Sequence, residues 1–305
     1  MSPAPFFSVI IPTRNRANLL RESVLSVLAQ SFPDFELIIV DDHSEDNTTE
    51  TLSGLSDPRV KSVLNDRSKG GAGSRNAGIF RARGEWICFL DDDDIWLKGK
   101  LEAQYRKIRS VDQETGLVYS GAYGYDPANR KILCVYKPKI QGWVQRDLLY
   151  RNYIGTYSTV VIRKDLLLEL NGLDERFPAL QDIELYVRIA GRAKIAFVVE
   201  NLALIRRVGG DRISADPGRK LEGSLLLRAK FTGLLEKEPR LKHAIAARIF
   251  TYGIRTGSWG HVLGSLPWTC VGLALAPSNF LSVLKSIAVL ILRDGQQRNG
   301  RERAR

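Results

Sequence analysis

The chain has 305 residues, of which 44% are hydrophobic and 26% charged, and this ordinary globular composition excludes a disordered chain, a collagen and a coiled-coil rod. Its three cysteines, Cys88, Cys134 and Cys270, form neither a dense disulfide framework nor a zinc motif. Residues 1–218 carry a net charge of +1, whereas residues 219–305 carry +10. We therefore expect an enzyme-like domain followed by a basic segment that meets an anionic surface.

Short apolar runs alternate with stretches of helical periodicity over the first 115 residues. Strands are predicted at residues 7–11, 37–40, 60–64 and 86–90. Helices are predicted between them at residues 19–28, 46–55 and 73–83. Repeated strand–helix–strand units form a parallel sheet that is covered by helices on both faces. The first strand begins close to Met1 without a basic and apolar leader, so we expect a cytoplasmic chain.

A polar segment follows each of these predicted strands. Ligands of open parallel sheets bind beyond the carboxyl ends of the strands, where such segments lie side by side. The segments are Pro12–Arg16, Asp41–Ser44, Asn65–Arg67 and Asp91–Asp94. We therefore expect two acidic clusters and several arginines at one rim of the sheet.

The region from residue 116 to about residue 216 has a mixed pattern. Strands are predicted at residues 117–123, 131–136 and 158–162. Helices are predicted at residues 165–170 and 182–190. We interpret this region as the second half of the same domain rather than as a separate fold.

Asp91–Asp94 place four carboxylates on consecutive residues, directly after a buried strand. Mutual repulsion makes this arrangement costly unless a cation lies among the carboxylates. A hard divalent cation, held by one or two carboxylates and by substrate phosphates, meets that need. The structural alternative is a solvated acidic loop, or a cap for a helix that begins near Lys98.

Two further segments at this rim favour nucleotide binding more weakly. Asp41 and Asp42 end a strand, where a carboxylate accepts hydrogen bonds from a base or ribose, although the segment could instead cap the next helix. Lys69–Gly78 leads into a helix with Arg75 in its first turn, which favours phosphate, although the glycines could simply form a tight turn. The segment matches neither the P-loop nor the dinucleotide-binding pattern, which argues against kinases, ATPases and Rossmann dehydrogenases.

Four motifs occur here in a specific order and spacing. They are Ser8–Arg16, Gln30–Asp42, Gly73–Gly78 and Gly84–Asp94. They resemble the successive signatures of the family 2 glycosyltransferases, and the resemblance covers roughly residues 6–215. It implies a GT-A fold, which is an α/β, Rossmann-like and mostly parallel sheet flanked by helices. It also implies a nucleotide-diphosphate sugar as the donor and inversion at the anomeric carbon.

The resemblance implies roles for residues that follow the first two strands. Pro12, Thr13 and Asn15 would line the nucleotide pocket. Asp42 would bind the base or its ribose, and Arg75 would approach the donor diphosphate. The nucleotide-sugar half of the catalytic domain would then be residues 1 to about 115, and the acceptor half would be residues 116–218.

The same resemblance extends to the acidic run. Asp91 and Asp93 match the outer carboxylates of the family's DxD motif, and Asp93 is the preferred ligand of a divalent cation, Mn2+ or Mg2+. Asp92 would contact the ribose or the sugar. The implied enzyme is a metal-dependent, inverting transferase of the EC 2.4 class.

Leu173–Leu185 resembles the segment in which the family places a Glu-Asp pair, with the Asp as catalytic base. Asp182 matches that base, and Gln181 replaces the Glu. A neutral neighbour removes a like charge, so any rise in the pKa of Asp182 must come from burial. A helix N-cap is the structural alternative for Asp182.

Arg206–Ser214 resembles the loop that closes over the donor phosphates in this family. Val208 stands where many members have a histidine that ligates the metal, so a histidine ligand is not expected here. Arg207 or Arg212 would neutralise phosphate instead.

Residues 219–305 form a basic and apolar helical extension. Residues 256–284 contain no Asp, Glu, Lys or Arg, but Pro267 and Pro277 divide the run into pieces too short to span a membrane. We expect helices that lie in the interface at the inner face of the cell membrane, with the one at 279–292 followed by arginines near anionic headgroups. The alternative is an ordinary helical core, and the pattern does not favour nucleic-acid binding.

The sequence thus predicts a glycosyltransferase of cell-surface polysaccharide or glycolipid biosynthesis that acts on an acceptor hydroxyl, either lipid-linked or on a polysaccharide. Two alternatives stay open. A sugar-nucleotide nucleotidyltransferase would need a glycine-rich, arginine-containing loop after the first strand, where Pro12–Asn15 stands. A non-catalytic, membrane-associated module would keep the fold and bind a nucleotide sugar without turnover.

Overall fold

The computed structural model describes residues 3–66, 68–207 and 216–266. Within these residues the chain divides into two compact units. The first unit comprises 3–66, 68–175 and 182–207, and the second comprises 176–181 and 216–266. Each unit is described by itself below.

The first part of the chain alternates strands and helices as predicted. The elements are β1 (Phe7–Thr13), α1 (Ala17–Leu28), β2 (Phe35–Asp41), α2 (Thr48–Ser53), β3 (Val60–Leu64), α3 (Gly70–Arg81) and β4 (Trp86–Phe89). All the predicted strands and helices of this part are therefore confirmed, with ends that differ by a few residues. The largest difference is at α3, where the glycines expected to precede the helix form its first turn.

The middle of the chain adds strands to the same sheet. The elements are β5 (Ile95–Trp96), α4 (Lys100–Ser110), β6 (Thr115–Asp126), β7 (Lys131–Tyr136), α5 (Gln145–Tyr150), a 3-10 turn (Tyr157–Thr159), β8 (Val160–Arg163), α6 (Lys164–Glu169), α7 (Gln181–Ala190) and β9 (Lys194–Arg206). The strands predicted at 117–123 and 131–136 correspond to β6 and β7. The strand predicted at 158–162 corresponds to β8 only from Val160, because residues 158 and 159 belong to the 3-10 turn. The long strand β9 was not predicted.

The strands form a mixed sheet in the order β3-β2-β1-β4-β8-β6-β9-β5, and β7 pairs with β6. β3, β2, β1 and β4 are parallel, with helices in their crossovers, so their carboxyl ends lie at the same edge. β8 lies antiparallel between β4 and β6, whereas β6 and β9 are parallel. The expected α/β sheet is confirmed, and its antiparallel pairs occur in the second half.

Helix α3 lies close to β1 because its residue at the contact has no side chain. A Cβ atom added to Gly78 would lie 2.5 Å from Ile10 Cγ2, nearer than carbon atoms can approach. Ile10 is fully buried in β1. This contact holds the helix that carries Arg75 against the strand that ends at Thr13.

A buried carboxylate joins the amino ends of the first strands. Glu36 Oε1 accepts hydrogen bonds from Ser8 Oγ at 2.7 Å and from the backbone N of Arg83 at 2.6 Å. Its Oε2 lies 2.8 Å from Lys61 Nζ. Burial opposes ionisation, but these hydrogen bonds lower the pKa of Glu36 to about 2. Glu36 thus ties β1, β2, β3 and the entry to β4 together, at the edge opposite the polar rim.

The second unit is helical over its described residues. Its helices include α8 (Pro217–Lys230), α9 (Thr232–Lys237) and α10 (Pro239–Thr256), and residues 259–266 are also helical. Asp216 caps α8, since its side chain accepts hydrogen bonds from the backbone N of Gly218 and of Arg219. In the described part of the chain, no helix has the length and apolar character needed to cross a membrane. The interfacial helix predicted at 279–292 and the arginines after it lie outside the described residues.

Candidate active site

The loops that follow β1, β2 and β4 meet at one rim. Thr13 Oγ1 donates a hydrogen bond of 2.9 Å to Asp92 Oδ2, which joins residues 79 positions apart. The backbone N of Asp42 donates a hydrogen bond of 2.9 Å to Thr13 O. The two acidic clusters and the end of the first strand therefore lie together, as the sequence predicts.

The four carboxylates of the acidic run differ in exposure. The side chains of Asp91 and Asp93 are 30% and 24% exposed. The side chain of Asp92 is 8% exposed, and Asp94 is buried. The outer pair of the DxD pattern, which was predicted to hold a metal, is thus the more exposed pair, and each of its carboxylates forms an ion pair with an arginine.

Asp94 belongs to the interior of the rim. Its Oδ2 accepts a hydrogen bond of 2.6 Å from Ser158 Oγ, and its Oδ1 accepts one of 3.1 Å from the backbone N of Arg206. Burial, together with the nearby charges of Asp91 and Asp93, raises the pKa of Asp94 well above its usual range. A protonated Asp94 carries no charge, so it lessens the repulsion within the acidic run.

Arg16 provides a cation at the rim, and the family resemblance gave no role to this residue. Its Nη1 lies 2.9 Å from Asp92 Oδ1 and 3.2 Å from Asp93 Oδ2. Burial raises the pKa of Asp92 to about 6, although Arg16 favours the ionised form. Arg16 ends the polar segment after the first strand, so the rule that ligands bind beyond strand ends is the sequence signal that points to it.

Arg75 occupies the buried side of the rim on helix α3. It forms an ion pair with Asp91, and its Nη1 donates a hydrogen bond of 3.0 Å to Gly71 O. The guanidinium lies over the ring of Tyr157, with its Cζ 4.4 Å from the ring centroid. Its buried Nε has no hydrogen-bond partner among the described residues. The approach of Arg75 to a donor diphosphate stays a prediction.

Asp42 holds the turn that begins helix α3. Its two oxygens accept hydrogen bonds from Asn65 Nδ2, Ser68 Oγ and the backbone N of Lys69 and Gly70, at 2.8 to 2.9 Å. Burial opposes ionisation, but these hydrogen bonds lower the pKa of Asp42. Asp42 is therefore a charged support of the loop, and its predicted contact with a base or ribose stays a prediction.

Asn15 connects the loops after β1 and β2. It adopts a left-handed conformation with φ of 54°, a region that asparagine tolerates better than most residues. Its backbone N donates to Ser44 Oγ at 2.9 Å, and its Oδ1 accepts from the backbone N of Glu45 at 2.7 Å. Pro12 lies in β1 opposite Val40 of β2. Both residues border the rim, and their contact with a nucleotide stays a prediction.

Asp182 lies in the first turn of α7. Burial raises the pKa of Asp182 from 3.8 to about 6, against a backbone hydrogen bond from Ile183 that lowers it. Asn152 Nδ2 donates a hydrogen bond of 2.9 Å to Asp182 Oδ2. The charges of Asp91 and Arg75 also influence its titration, so the start of α7 lies within electrostatic reach of the acidic run. Because α7 begins at Gln181, Asp182 is the second residue of the helix rather than its N-cap residue, and its carboxylate accepts from a backbone N–H of the first turn.

Two buried tyrosines accompany Asp182 and were missed by the sequence analysis. The rings of Tyr157 and Tyr186 lie edge to face with centroids 5.9 Å apart. Neither hydroxyl has a hydrogen-bond partner among the described residues. Burial raises the pKa of both, and the charges of Asp182 and Asp91 add to that rise. Tyr186 follows Asp182 by one helical turn, and that spacing is the signal that could have found it.

The segment after β9 is only partly described. The Arg207 guanidinium lies over the ring of Tyr136, 4.9 Å from its centroid. Val208 and Arg212 lie outside the described residues. Arg206, which was not assigned a role, donates from Nε to Asp93 O at 2.8 Å and so reaches the acidic run. A role of Arg207 and Arg212 at donor phosphates stays a prediction.

Gln181 stands where the motif comparison expects a glutamate. Its Nε2 donates a hydrogen bond of 2.7 Å to Phe177 O. The amide thereby fixes the turn before α7 without adding a charge next to Asp182. Burial is the main cause of the raised pKa of Asp182, as the sequence analysis requires.

The acidic run fits a metal that substrate helps to bind. Within residues 3–66, 68–207 and 216–266, no group of three or more His, Cys, Asp or Glu side chains could hold a metal ion. Asp91 and Asp93 nevertheless offer two partly exposed carboxylates, which are hard oxygen ligands. Their chemistry fits Mn2+ or Mg2+ that takes its remaining ligands from phosphates and water, and it does not fit a cage built from protein alone.

The model of the family described as Glycosyl transferase family 2 matches residues 8–165 of the chain, which include β1 to β8 and the acidic run. The chain belongs to this family. The family match thus covers the rim that holds Thr13, Asp42, Arg75 and the acidic run, and it stops before Asp182.

One relative is named as a glucosyltransferase. The chain is 43% identical over 97 residues to UDP-Glc:alpha-D-GlcNAc-diphosphoundecaprenol beta-1,3-glucosyltransferase WfgD of Escherichia coli, which covers 32% of this chain and 38% of that protein. The chain spans only 34 to 38% of the length of the first curated relatives that it matches. The resemblance to these relatives therefore concerns a part of each protein.

Solved structures share the fold. TarS 1-349 of S. aureus in complex with UDP-GlcNAc has a TM-score of 0.65 and 19% identity, covering 93% of this chain and 83% of that one. The mannosyltransferase PcManGT of Pyrobaculum calidifontis in complex with GDP-Man and Mn2+ has a TM-score of 0.59 and 18% identity, covering 95% and 88%. The family 2 chain has the GT-A fold that the sequence predicts.

Proposed function

We propose that this family 2 chain transfers a sugar from a nucleotide-diphosphate sugar to an acceptor hydroxyl, with inversion at the anomeric carbon. The observation that carries the proposal is the partly buried Asp182 carboxylate, whose pKa is raised to about 6 within electrostatic reach of the Arg75–Asp91 ion pair. A base with this pKa is unprotonated at neutral pH and is still basic enough to assist proton removal. In this proposal Asp182 serves the attacking acceptor hydroxyl, and Arg75 serves the departing nucleoside diphosphate.

The donor binds across the rim in this proposal. Pro12, Thr13, Asn15 and Asp42 surround the nucleoside, and Asp92 contacts the ribose or the sugar. Two structural neighbours bound to UDP-GlcNAc and to GDP-Man support a nucleotide-diphosphate sugar as the class of donor.

The diphosphate of the donor lies at the cationic part of the rim. Arg75 contacts it, and Arg207 and Arg212 neutralise its charge. Asp91 and Asp93 would hold a divalent cation, and Mn2+ in one structural neighbour supports this part of the proposal. When bound, the cation supplies positive charge that stabilises the leaving diphosphate.

The reaction is a single displacement. Asp182 takes the proton of the acceptor hydroxyl, and the acceptor oxygen attacks the anomeric carbon from the face opposite the diphosphate. The bond between that carbon and the diphosphate oxygen breaks, and Arg75 stabilises the charge that leaves. No covalent bond to the protein forms, so the configuration inverts.

The acceptor is a glycan intermediate of cell-surface polysaccharide or glycolipid synthesis in this proposal. The Escherichia coli relative is named for a substrate linked to diphosphoundecaprenol. A lipid-linked acceptor would place this enzyme at the inner face of the cell membrane.

Thermal unfolding with a panel of nucleotide sugars tests the donor site. The panel is measured with Mn2+, Mg2+ or EDTA for the wild type, for Asp93→Ala, and for the control Asp165→Ala at a 68% exposed carboxylate on α6. A ligand at 100 times its dissociation constant adds about 2.7 kcal/mol to the free energy of unfolding. We expect metal-dependent stabilisation by one nucleotide class in the wild type and the control, with loss in Asp93→Ala.

The outcomes separate the alternatives. Nucleotide-sugar binding without acceptor-dependent release of nucleotide, unchanged in Asp182→Asn, would identify a non-catalytic module. Release of pyrophosphate from a nucleoside triphosphate and a sugar phosphate would identify a nucleotidyltransferase. Absence of any nucleotide effect under all metal conditions would overturn the assignment of the rim as a donor site.

A further inference from the structure

Strand β7 exposes a row of large apolar side chains. The exposed fractions are 43% for Ile132, 48% for Leu133, 47% for Val135 and 39% for Tyr136. These four residues are called the apolar ribbon below. Successive residues of a strand point to opposite faces, so the ribbon is open to solvent on both faces of the strand. Single exposed apolar residues are normal, but a contiguous exposed group marks a site of interaction.

The ribbon lies at an edge of the sheet. β7 pairs with β6 in the register Ala122 opposite Tyr136 and Asp126 opposite Lys131, and it pairs with no other strand among the described residues. Its second edge therefore has unpaired backbone groups, as in other edge strands. Trp143, seven residues beyond the ribbon, is 56% exposed and adds an amphipathic aromatic side chain to the same part of the chain.

Cations flank the ribbon on both sides in the sequence. Residues 127–145 contain four basic residues and no acidic residue. The basic residues are the exposed Arg130, Lys131, Lys137 and Lys139. An anionic surface with an apolar interior matches this combination, because the apolar side chains enter the interior while the cations contact charged headgroups. A second copy of the chain is disfavoured, since strand pairing would bring lysines of both copies together.

Two successive arginines connect the ribbon with the acidic run. Arg206 contacts Asp93 and Asp94 through its Nε and its backbone N. The next residue, Arg207, places its guanidinium over the ring of Tyr136 in the ribbon. A surface that binds the ribbon would therefore lie beside the rim at which the donor is proposed to bind.

We propose that the apolar ribbon and its flanking cations form a docking surface for an anionic lipid bilayer. This surface consists of residues of the first compact unit, whereas the basic segment predicted from the sequence is residues 219–305. The docking itself does not depend on sugar transfer. Only the consequence of docking, which is delivery of a lipid-linked acceptor to the rim, rests on the proposed function.

Sedimentation with vesicles of phosphatidylcholine, alone or in equal parts with phosphatidylglycerol, tests the proposal on the full chain. The variant Leu133→Thr/Val135→Thr keeps strand-forming residues but removes apolar surface. The control Leu64→Thr makes the same change at a leucine that is 65% exposed on β3, at the far end of the sheet. We expect the wild type and the control to bind anionic vesicles and the double variant to partition about tenfold or more less strongly.

A charge variant provides a second readout. Lys137→Glu/Lys139→Glu leaves the ribbon intact and should weaken binding to anionic vesicles by about 30-fold or more, since two favourable lysine contacts with the surface are lost and two repulsive charges are added. Raised salt should reduce wild-type binding in the same direction. Equal binding of this variant and the wild type would overturn the electrostatic part of the proposal, and with it the choice of an anionic bilayer.

Cys134 offers a direct probe, because it lies within β7 and is a partly exposed free thiol, whereas Cys88 is buried. An environment-sensitive fluorophore on Cys134, in a chain with Cys270→Ser, should shift to the blue and be quenched by nitroxide lipids in anionic vesicles. Vesicle binding without a change at Cys134 would overturn the proposal and assign binding to another segment. A dimer in light scattering that dissociates in Leu133→Thr/Val135→Thr, with vesicle binding unchanged, would assign the ribbon to self-association.

The vesicle experiments and the nucleotide experiments test two proposals that can be overturned independently. A chain that binds vesicles through the ribbon but binds no nucleotide retains the docking surface and loses the proposed function. A chain that binds a nucleotide sugar but never binds anionic vesicles loses the docking surface alone.

Discussion

At the scale of single residues, Asp182 combines partial burial with a proposed role that requires a charged carboxylate. Its pKa is raised to about 6 by burial, so the carboxylate is protonated in an increasing fraction of molecules as the pH falls below that value. We expect the rate of sugar transfer to fall about tenfold for each further unit of pH below about 6. Asp182→Asn should lower the rate by about 100-fold or more at all pH values, as measured by acceptor-dependent nucleotide release.

The stability of the same variant distinguishes a base from a helix cap. The pKa of Asp182 is higher in the folded chain than its ordinary value of 3.8, so the folded state binds this proton more tightly. The contribution of Asp182 to stability is therefore largest below that value and is lost as the pH rises to about 6. Asp182→Asn should raise the melting temperature at pH 8 by about 2–4 °C, and a lower melting temperature would favour capping.

We expect the fold to tolerate removal of the hydroxyl group from a buried tyrosine near Asp182. Tyr186→Phe removes a buried hydroxyl that lacks a described partner, so its free energy of unfolding should be unchanged or higher by about 1 kcal/mol. Tyr119 is the matched control, because its hydroxyl bonds Ile140 O at 2.9 Å and the backbone N of Lys139 at 3.1 Å. Tyr119→Phe should cost about 1–3 kcal/mol in urea unfolding. Equal losses in both variants would show that the Tyr186 hydroxyl has a partner.

At the scale of elements, Glu36 joins the amino ends of three strands and gives the sheet an acid-sensitive support. Because hydrogen bonds lower its pKa to about 2, its contribution to stability is present above its ordinary pKa of 4.5 and is lost as the pH falls towards 2. Glu36→Gln should lower the free energy of unfolding by about 1–3 kcal/mol at pH 7 and flatten its pH dependence in that window. Glu85→Gln, at an exposed position near the start of β4, is the control and should leave the curve unchanged.

The elements differ in how well the sequence predicts them. β1, β2 and β4 are continuous apolar runs because their strands are buried on both faces, so pattern alone identifies them. β9 alternates buried and exposed residues irregularly and pairs with β6 through several register shifts. No regular period exists for such a strand, so it could not be predicted from the pattern.

The residues of the candidate site also differ in how well the sequence predicts them. The acidic run and Thr13 were predictable because they follow strands, and strand ends meet at one edge of a parallel sheet. The pairing of Arg16 with Asp92, and the approach of Tyr157 to Arg75, depend on how distant segments pack. Strand-end position and helical spacing could place Arg16 and Tyr186 near the site, but they carry no record of these particular pairings, so the pairings were not predicted.

At the scale of the whole molecule, the described residues assigned to the donor site all belong to the first compact unit. They are Pro12, Thr13, Asn15, Asp42, Arg75, Asp91, Asp92, Asp93 and Arg207. A bound donor adds contacts to that unit, and local opening there becomes less frequent in proportion to the binding free energy. We therefore expect ligand to protect one unit more than the other.

Hydrogen exchange of the full chain with a stabilising nucleotide and Mn2+ measures this difference. Peptides from the start of α3 and from Asp91–Asp94 should exchange more slowly with ligand, whereas peptides from α8 and α10 should change little. Asp93→Ala is the control and should remove the protection. A peptide that covers residues 208–215 should also gain protection, because Arg212 is predicted to contact the donor phosphates. Stronger protection in α8 and α10 than at Asp91–Asp94 would contradict the placement of the donor at the rim, since bound ligand slows exchange most where it makes contacts.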